Sequence, residues 1–169
     1  MTLTDENGPF DIAELLSDGR QSPAALDIQR GVGRLLRSLG WASVFELPLA
    51  NGRRADVVAL SDRGDFWIIE IKSCLEDFRA DHKWQDYRDF SDQLYFAVAP
   101  GFPVEVLPPD AGLILADRWG GEIMRASPEM RLVGARRKAM TLRFAHYAAA
   151  RLLLACDPDI VLARDPRGV

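Results

Sequence analysis

The rhythm of apolar and polar positions changes several times along the chain. Residues 1–22 hold no sustained period, and Gly8, Pro9 and Gly19 interrupt them. They read as a flexible arm with one helical turn at Asp11–Leu16. From Ser22 the period becomes helical: Ile28, Val32, Leu35, Leu36 and Leu39 fall on one face. Ser22 followed by Pro23 suits an N-cap and first helical position, and Gly40 is placed to end the helix. Three strand-like runs follow, at residues 42–49, 54–60 and 65–73. Asn51-Gly52 and Ser61–Gly64 between them are turn chemistry, so these strands should be antiparallel neighbours. Residues 76–90 are charged, aromatic and free of Gly and Pro, and predict a helix. Apolar runs at 92–100 and 111–117 predict two more strands, and 134–156 predicts a helix that packs on the sheet.

The predicted order is α-β-β-β-α-β-β-α. It describes an α/β layered domain around a mixed sheet of about five strands flanked by helices. The central strands are apolar on both faces, as expected when helices cover both sides. The organisation is an arm at 1–22, one domain at 23–156 and a polar tail at 157–169.

The interruptions in this pattern carry the chemistry. Asp56 stands in the second strand, and Glu70 and Lys72 in the third. Charged side chains are rarely buried unless paired or bound to a metal. Alternation puts Phe66, Ile68, Glu70 and Lys72 on one face, with Glu70 and Lys72 about 6.6 Å apart. If the strands pair side by side, Asp56 and Glu70 converge. Two carboxylates so placed repel unless a cation lies between them. Mg²⁺ or Mn²⁺ accepts such hard oxygen ligands, and the Ile71 carbonyl could add a third. Lys72 beside them could hold a water or neutralise a phosphate, which fits metal-assisted hydrolysis of a phosphodiester. The plain alternative is an ordinary salt bridge from Lys72 to Glu70 or Asp56 at a strand end. The apolar strand before the motif, the Asp on the preceding strand and the charged segment after it favour the site.

Asp56, thirteen residues, then Glu70-Ile71-Lys72 resembles the signature of the PD-(D/E)XK nuclease superfamily, which has a restriction endonuclease-like core. The longer string "GRRADVVAL…WIIEIKSCLEDFRADHKWQDYRDFSDQLYFAVAP" is similar, more narrowly, to the MmcB family of bacterial DNA repair proteins regarded as endonucleases. The likeness spans about residues 24–150. It implies that Asp56 and Glu70 are metal ligands and Lys72 the catalytic lysine, and that the substrate is DNA, with repair proteins as further partners. The chain departs from the superfamily pattern in having Ala55, not Pro, before Asp56. Many members carry an additional acid, for which Asp27 and Glu46 are the candidates; Asp27 also reads as a solvated helix residue.

Asp81, Lys83, Gln85 and Tyr87 lie four apart in pairs on the predicted helix after the motif and are candidate contacts to phosphate or to the site. Arg54 is the nearest basic residue to Asp56. Further arginines, Arg30, Arg34 and Arg37, line the polar side of the first helix. His82 and His146 are isolated and read as structural or exposed.

Composition narrows the picture. Net charge is −4 and pI about 5.2, so any nucleic-acid surface must be a local patch. Cys74 and Cys156 have no paired motif, which argues against zinc or disulfides and for a reducing cytoplasm. No secretion signal or membrane-spanning run is expected. The expected activity is metal-dependent DNA endonuclease action. The alternatives are a catalytically inactive module of the same fold that binds DNA or a repair partner, and an RNA or nucleotide hydrolase.

Overall fold

A computed structural model of the protein describes residues 21–81 and 83–159. The expected turn at 11–16, His82 and the tail beyond 159 lie outside these residues. Helix α1 (Pro23–Ser38) starts as expected, with the Ser22 hydroxyl accepting from the Ala25 N–H at 3.1 Å and Pro23 in the first turn. It is followed by β1 (Ala42–Pro48), β2 (Arg54–Leu60), β3 (Phe66–Lys72), α2 (Leu75–Ala80), a 3₁₀ helix (Trp84–Phe90), β4 (Gln93–Val98), a short 3₁₀ turn, β5 (Gly112–Ala116), β6 (Gly121–Arg125) and α3 (Gly134–Cys156).

The strands form one mixed six-stranded sheet in sequence order. The β1–β2, β2–β3 and β5–β6 pairs are antiparallel, and β3–β4 and β4–β5 are parallel. The count is six rather than the expected five. The added strand, β6, is a short edge strand whose alternating positions Glu122 and Met124 are exposed, so it lacks the apolar run that marked the others.

Two helices cover the two faces. Ile28, Val32 and Leu36 of α1 pack on Val57, Ala59, Ile69, Tyr95 and Ile114. Met140, Phe144 and Tyr147 of α3 pack on Val58, Phe66, Ile68 and Leu94 of the other face. Covering both faces explains why β3 and β4 read as nearly continuous apolar runs. Gly31 of α1 allows a close approach to the β5–β6 turn: a Cβ there would stand 2.0 Å from the Asp117 carbonyl oxygen and 2.4 Å from that of Gly120.

The segment 76–90 is not one helix. It divides at Asp81, whose backbone is extended (φ −92, ψ 92) and whose carboxylate accepts from the Lys83 N–H at 3.0 Å. Beyond it the apolar residues Trp84, Tyr87 and Phe90 recur every three positions. The 3₁₀ helix, with three residues per turn, brings all three to one side.

One polar clamp locks α3 to the sheet. The buried Asp92 carboxylate, 3% exposed, accepts from the Phe66 N–H (2.7 Å), the Leu132 N–H (2.9 Å) and both Arg137 guanidinium nitrogens (2.9 and 2.6 Å). Burial pushes its pKa up, but these donors, led by Arg137, more than offset that and hold it below the usual value. A depressed folded pKa gives stability that is present above about pH 4 and is lost as pH falls through the folded value. Asp92→Asn is therefore expected to lose roughly 2–4 kcal/mol in urea unfolding at pH 7, because the Arg137 charge loses its close counter-ion and keeps only Asp65, 3.9 Å away. The difference from the parent should shrink as the pH is taken below about 4.

Candidate active site

The β2–β3 ladder runs from Leu60↔Phe66 to Val57↔Ile69 and then stops. The next positions are Asp56 and Glu70. There the carboxylates replace the backbone bonds. The Asp56 N–H donates to Glu70 Oε1 at 3.3 Å, and the Ile71 N–H donates to Asp56 Oδ2 at 2.8 Å. The strands therefore part at this end, and each acid caps a backbone amide freed on the other strand. Alternation carries Lys72 to the same face as Glu70, and its Nζ lies 3.9 Å from Glu70 Oε2.

Lys72 also donates to Asp81 Oδ2 at 2.6 Å. Glu70 and Lys72 are buried (3% and 7% exposed), while the Asp81 side chain is 20% exposed, so Asp81 forms the outer lip over the ammonium. The break between α2 and the 3₁₀ helix is what lets Asp81 turn inward.

Of the two candidates for an additional acid, Glu46 stands next to the pair. It lies on β1 beside Asp56, between the pairs Phe45↔Val57 and Leu47↔Ala55, and its charge helps to raise the Asp56 pKa. Its φ of 59° is unusual for a residue with a side chain and costs roughly 1–2 kcal/mol. The Tyr147 hydroxyl of α3 lies 2.8 Å from both the Phe45 and Glu46 carbonyl oxygens and fixes this conformation. Gln21 donates to one Glu46 carboxylate oxygen, and Arg54 Nε lies 2.6 Å from the other. Asp27 instead pairs with Arg30 on the solvated side of α1 at 3.5 Å, so of the two expected candidates Glu46 is the one beside Asp56.

Of the residues expected after the motif, Asp81 joins the site. Tyr87 is buried and donates to the Arg54 carbonyl at 3.1 Å, beneath the carboxylates. Burial and the charges of Glu70, Asp56 and Asp81 raise its pKa, which keeps the phenol a donor. The Lys83 and Gln85 side chains are exposed, and Lys83 reaches Asp81 only through its backbone N–H. They do not share a face with Asp81 and Tyr87 as a single helix would require. Tyr147 and Gln21 were not legible from sequence: one lies in an apolar helix run, the other beside a cap, and neither belongs to a charged motif.

The electrostatics single out the carboxylate pair. Burial, with a smaller push from Glu46, raises Asp56 to about 6 against the pull of the Ile71 N–H, Lys72 and Arg54. Glu70 is raised well above the usual range, first by burial and then by Asp56. Asp81 is drawn up by burial, but the hydrogen bonds from Lys72 and the Lys83 N–H more than reverse this. Among the described residues no group of three or more His, Cys, Asp or Glu side chains is arranged to hold a metal. The pair supplies two hard-oxygen groups, which fits an ion that keeps much of its water, such as Mg²⁺. It does not fit zinc, which takes nitrogen, sulfur and a closed tetrahedron in structural sites. Among the described residues no helix is long and apolar enough to cross a membrane.

A carboxyl with a raised folded pKa costs stability above that pKa, and the cost disappears as pH falls through it toward the unfolded value. Asp56→Asn keeps an acceptor for the Ile71 N–H but removes the charge. It should be more stable than the parent by ~1–3 kcal/mol at pH 8, with the gain fading between about pH 6 and 4. Thermal melts across that range check this.

Comparison with known proteins agrees with the architecture. Residues 13–159 match the family model described as DNA repair protein MmcB-like. A solved structure, the SPO1766 protein of unknown function from Silicibacter pomeroyi, is 43% identical, with a TM-score of 0.80 over 82% of this chain and 95% of that one. No curated protein matches the chain. With its mixed six-stranded sheet and the family match over most of its length, the chain belongs to the MmcB-like family of DNA repair proteins.

Proposed function

We propose that the protein is a metal-dependent endonuclease of the restriction endonuclease-like, PD-(D/E)XK kind, which hydrolyses phosphodiester bonds of DNA in repair. The observation that carries this reading is the convergence of Asp56, Glu70 and Lys72 where β2 and β3 part. A carboxylate pair with raised pKa values beside a buried ammonium is costly for a fold, and such groups concentrate where chemistry is done. The family name supports a role in DNA repair.

Asp56 and Glu70 would hold Mg²⁺ or Mn²⁺, which when bound supplies Lewis-acid polarisation of a phosphate oxygen and a more acidic water. The residues of the chain do the rest. Lys72 places its ammonium beside Glu70, where it can orient the attacking water and meet charge developing on the phosphate. For that, Asp81 must release Lys72, and a phosphate oxygen is a chemically equivalent replacement for its carboxylate. The Arg54–Glu46 pair at the rim gives a guanidinium that can exchange to a flanking phosphate. In-line attack would leave a 5′-phosphate.

The burial of Lys72 under Asp81 is the one observation that favours the second reading, a module of this fold that binds DNA or a repair partner without cutting. Duplex, single-stranded and branched DNA, with RNA alongside, separate the cases when incubated with and without Mg²⁺ or Mn²⁺. Cleavage should require metal and fall at least 100-fold in Lys72→Ala and Asp56→Ala. Binding without cleavage by the parent protein, unchanged by both substitutions, would leave the module. Mn²⁺ should also raise the melting temperature of the parent and not that of Asp56→Ala, which reads metal binding apart from turnover.

A further inference from the structure

The arginines of α1 take no part in the site above, and they meet an unusual partner. Trp119, in the β5–β6 turn, is 72% exposed, unlike the half-buried Trp41, Trp67 and Trp84. The Arg34 and Arg118 guanidinium carbons lie 6.0 and 5.2 Å from its ring centroid. Both guanidiniums lie over the ring, yet with most of Trp119 in solvent there is area open for a further flat group. Arg30 and Arg37 extend the row along the exposed side of α1.

The turn is held rigidly. The Asp117 carboxylate accepts from the Trp119 N–H (2.7 Å) and the Gly120 N–H (3.1 Å), and the Asp117 N–H bonds the Gly120 carbonyl at 3.0 Å. Arg34 Nη1 donates to the Trp119 carbonyl at 3.3 Å. The close approach at Gly31 braces the turn from below. A large aromatic presented to water on so constrained a turn has no packing role to explain it. The nearby acids are Asp27, paired with Arg30, Asp117, spent on the turn, and Glu122.

Register places this turn at the end of the sheet that bears the candidate site. Lys72 pairs with Val98, and Val98 with Leu115, two residues before Asp117. The separation is about 10 Å across the sheet and about 7 Å along it. A shallow depression of about 290 Å³, lined by Pro100, Leu115, Ala116, Asp117, Gly120, Gly121 and Glu122, lies beside the turn.

We propose that Trp119, flanked by Arg34 and Arg118, is a stacking platform for an unpaired base of single-stranded DNA, with the α1 arginines taking the adjoining phosphates. An exposed indole offers every base a π-face, and guanidiniums supply sequence-independent phosphate contacts. A duplex keeps its bases stacked inside and offers the ring nothing comparable. The inference rests on the DNA-directed reading of the protein but not on its catalytic step. If both hold, the platform directs the protein to frayed, gapped or flapped DNA.

The test is fluorescence anisotropy of a labelled oligo-dT and of a duplex of equal length, in EDTA so that no cleavage intervenes. The parent should prefer the single strand. Trp119→Ala should weaken that binding at least tenfold, Trp119→Phe should restore most of it, and duplex binding should change less than twofold. Arg118→Gln should lower the slope of log K against log salt by about one. Equal affinity of parent and Trp119→Ala for oligo-dT, or equal loss for duplex and single strand, overturns the proposal. Metal-dependent cleavage with Trp119 indifferent leaves the nuclease reading standing alone. Trp119-dependent binding without any cleavage leaves the platform standing and removes the nuclease.

Discussion

The arrangement of the functional end depends on the parting of β2 from β3. Over four residue pairs the two strands are an ordinary antiparallel ladder. Where it ends, two side-chain carboxylates do what backbone carbonyls would have done, each bonding an amide of the opposite strand. The acids are thus fixed by the backbone. Asp56 and Glu70 face each other because each accepts from an N–H of the opposite strand, and a neutral aliphatic residue at either place would take that acceptor away. The flanking elements serve this geometry: Tyr147 holds the strained Glu46, and Tyr87 anchors the Arg54 carbonyl from the 3₁₀ side.

Two buried carboxylate systems, at opposite ends of β3, show how compensation divides structure from chemistry. Asp92 bonds the Phe66 N–H at the start of the strand and is surrounded by four donor contacts, two from a guanidinium. Asp56 and Glu70, at the other end, share one backbone donor each, one ammonium and each other's charge. Burial penalises all three. Donors reverse the penalty at Asp92 and fail to at the pair. One end of the strand is welded to α3; the other keeps two carboxyls whose burial is left uncompensated.

Much of this was legible in the sequence because the cues were local and periodic. The Ser22–Pro23 start and Gly40 stop of α1, the two-residue alternation of β2 and β3 and the helical stretch 134–156 follow from short-range rules. The face shared by Glu70 and Lys72 needed only strand geometry. The misses have physical causes. Strand β6 exists because β5 offers an edge to pair with, which no pattern within Gly121–Arg125 announces. The break at Asp81 goes with its bond to Lys72, nine residues back, and with the T-shaped contacts that both Phe78 and Trp84 make with the Phe96 ring. The position of Glu46 beside Asp56 depends on a left-handed residue held by a tyrosine a hundred positions away, and long-range constraints of that kind leave no periodic trace.

The raised pKa values of the β2–β3 pair also bear on how this family changes over time. Amidation of either acid by a single substitution would ease the fold while keeping the acceptor for the freed amide. Unselected drift should therefore carry the two positions toward asparagine and glutamine. A lineage that has exchanged both for amides can remain well folded, so the acids, where they persist, are a cost that folding alone does not explain.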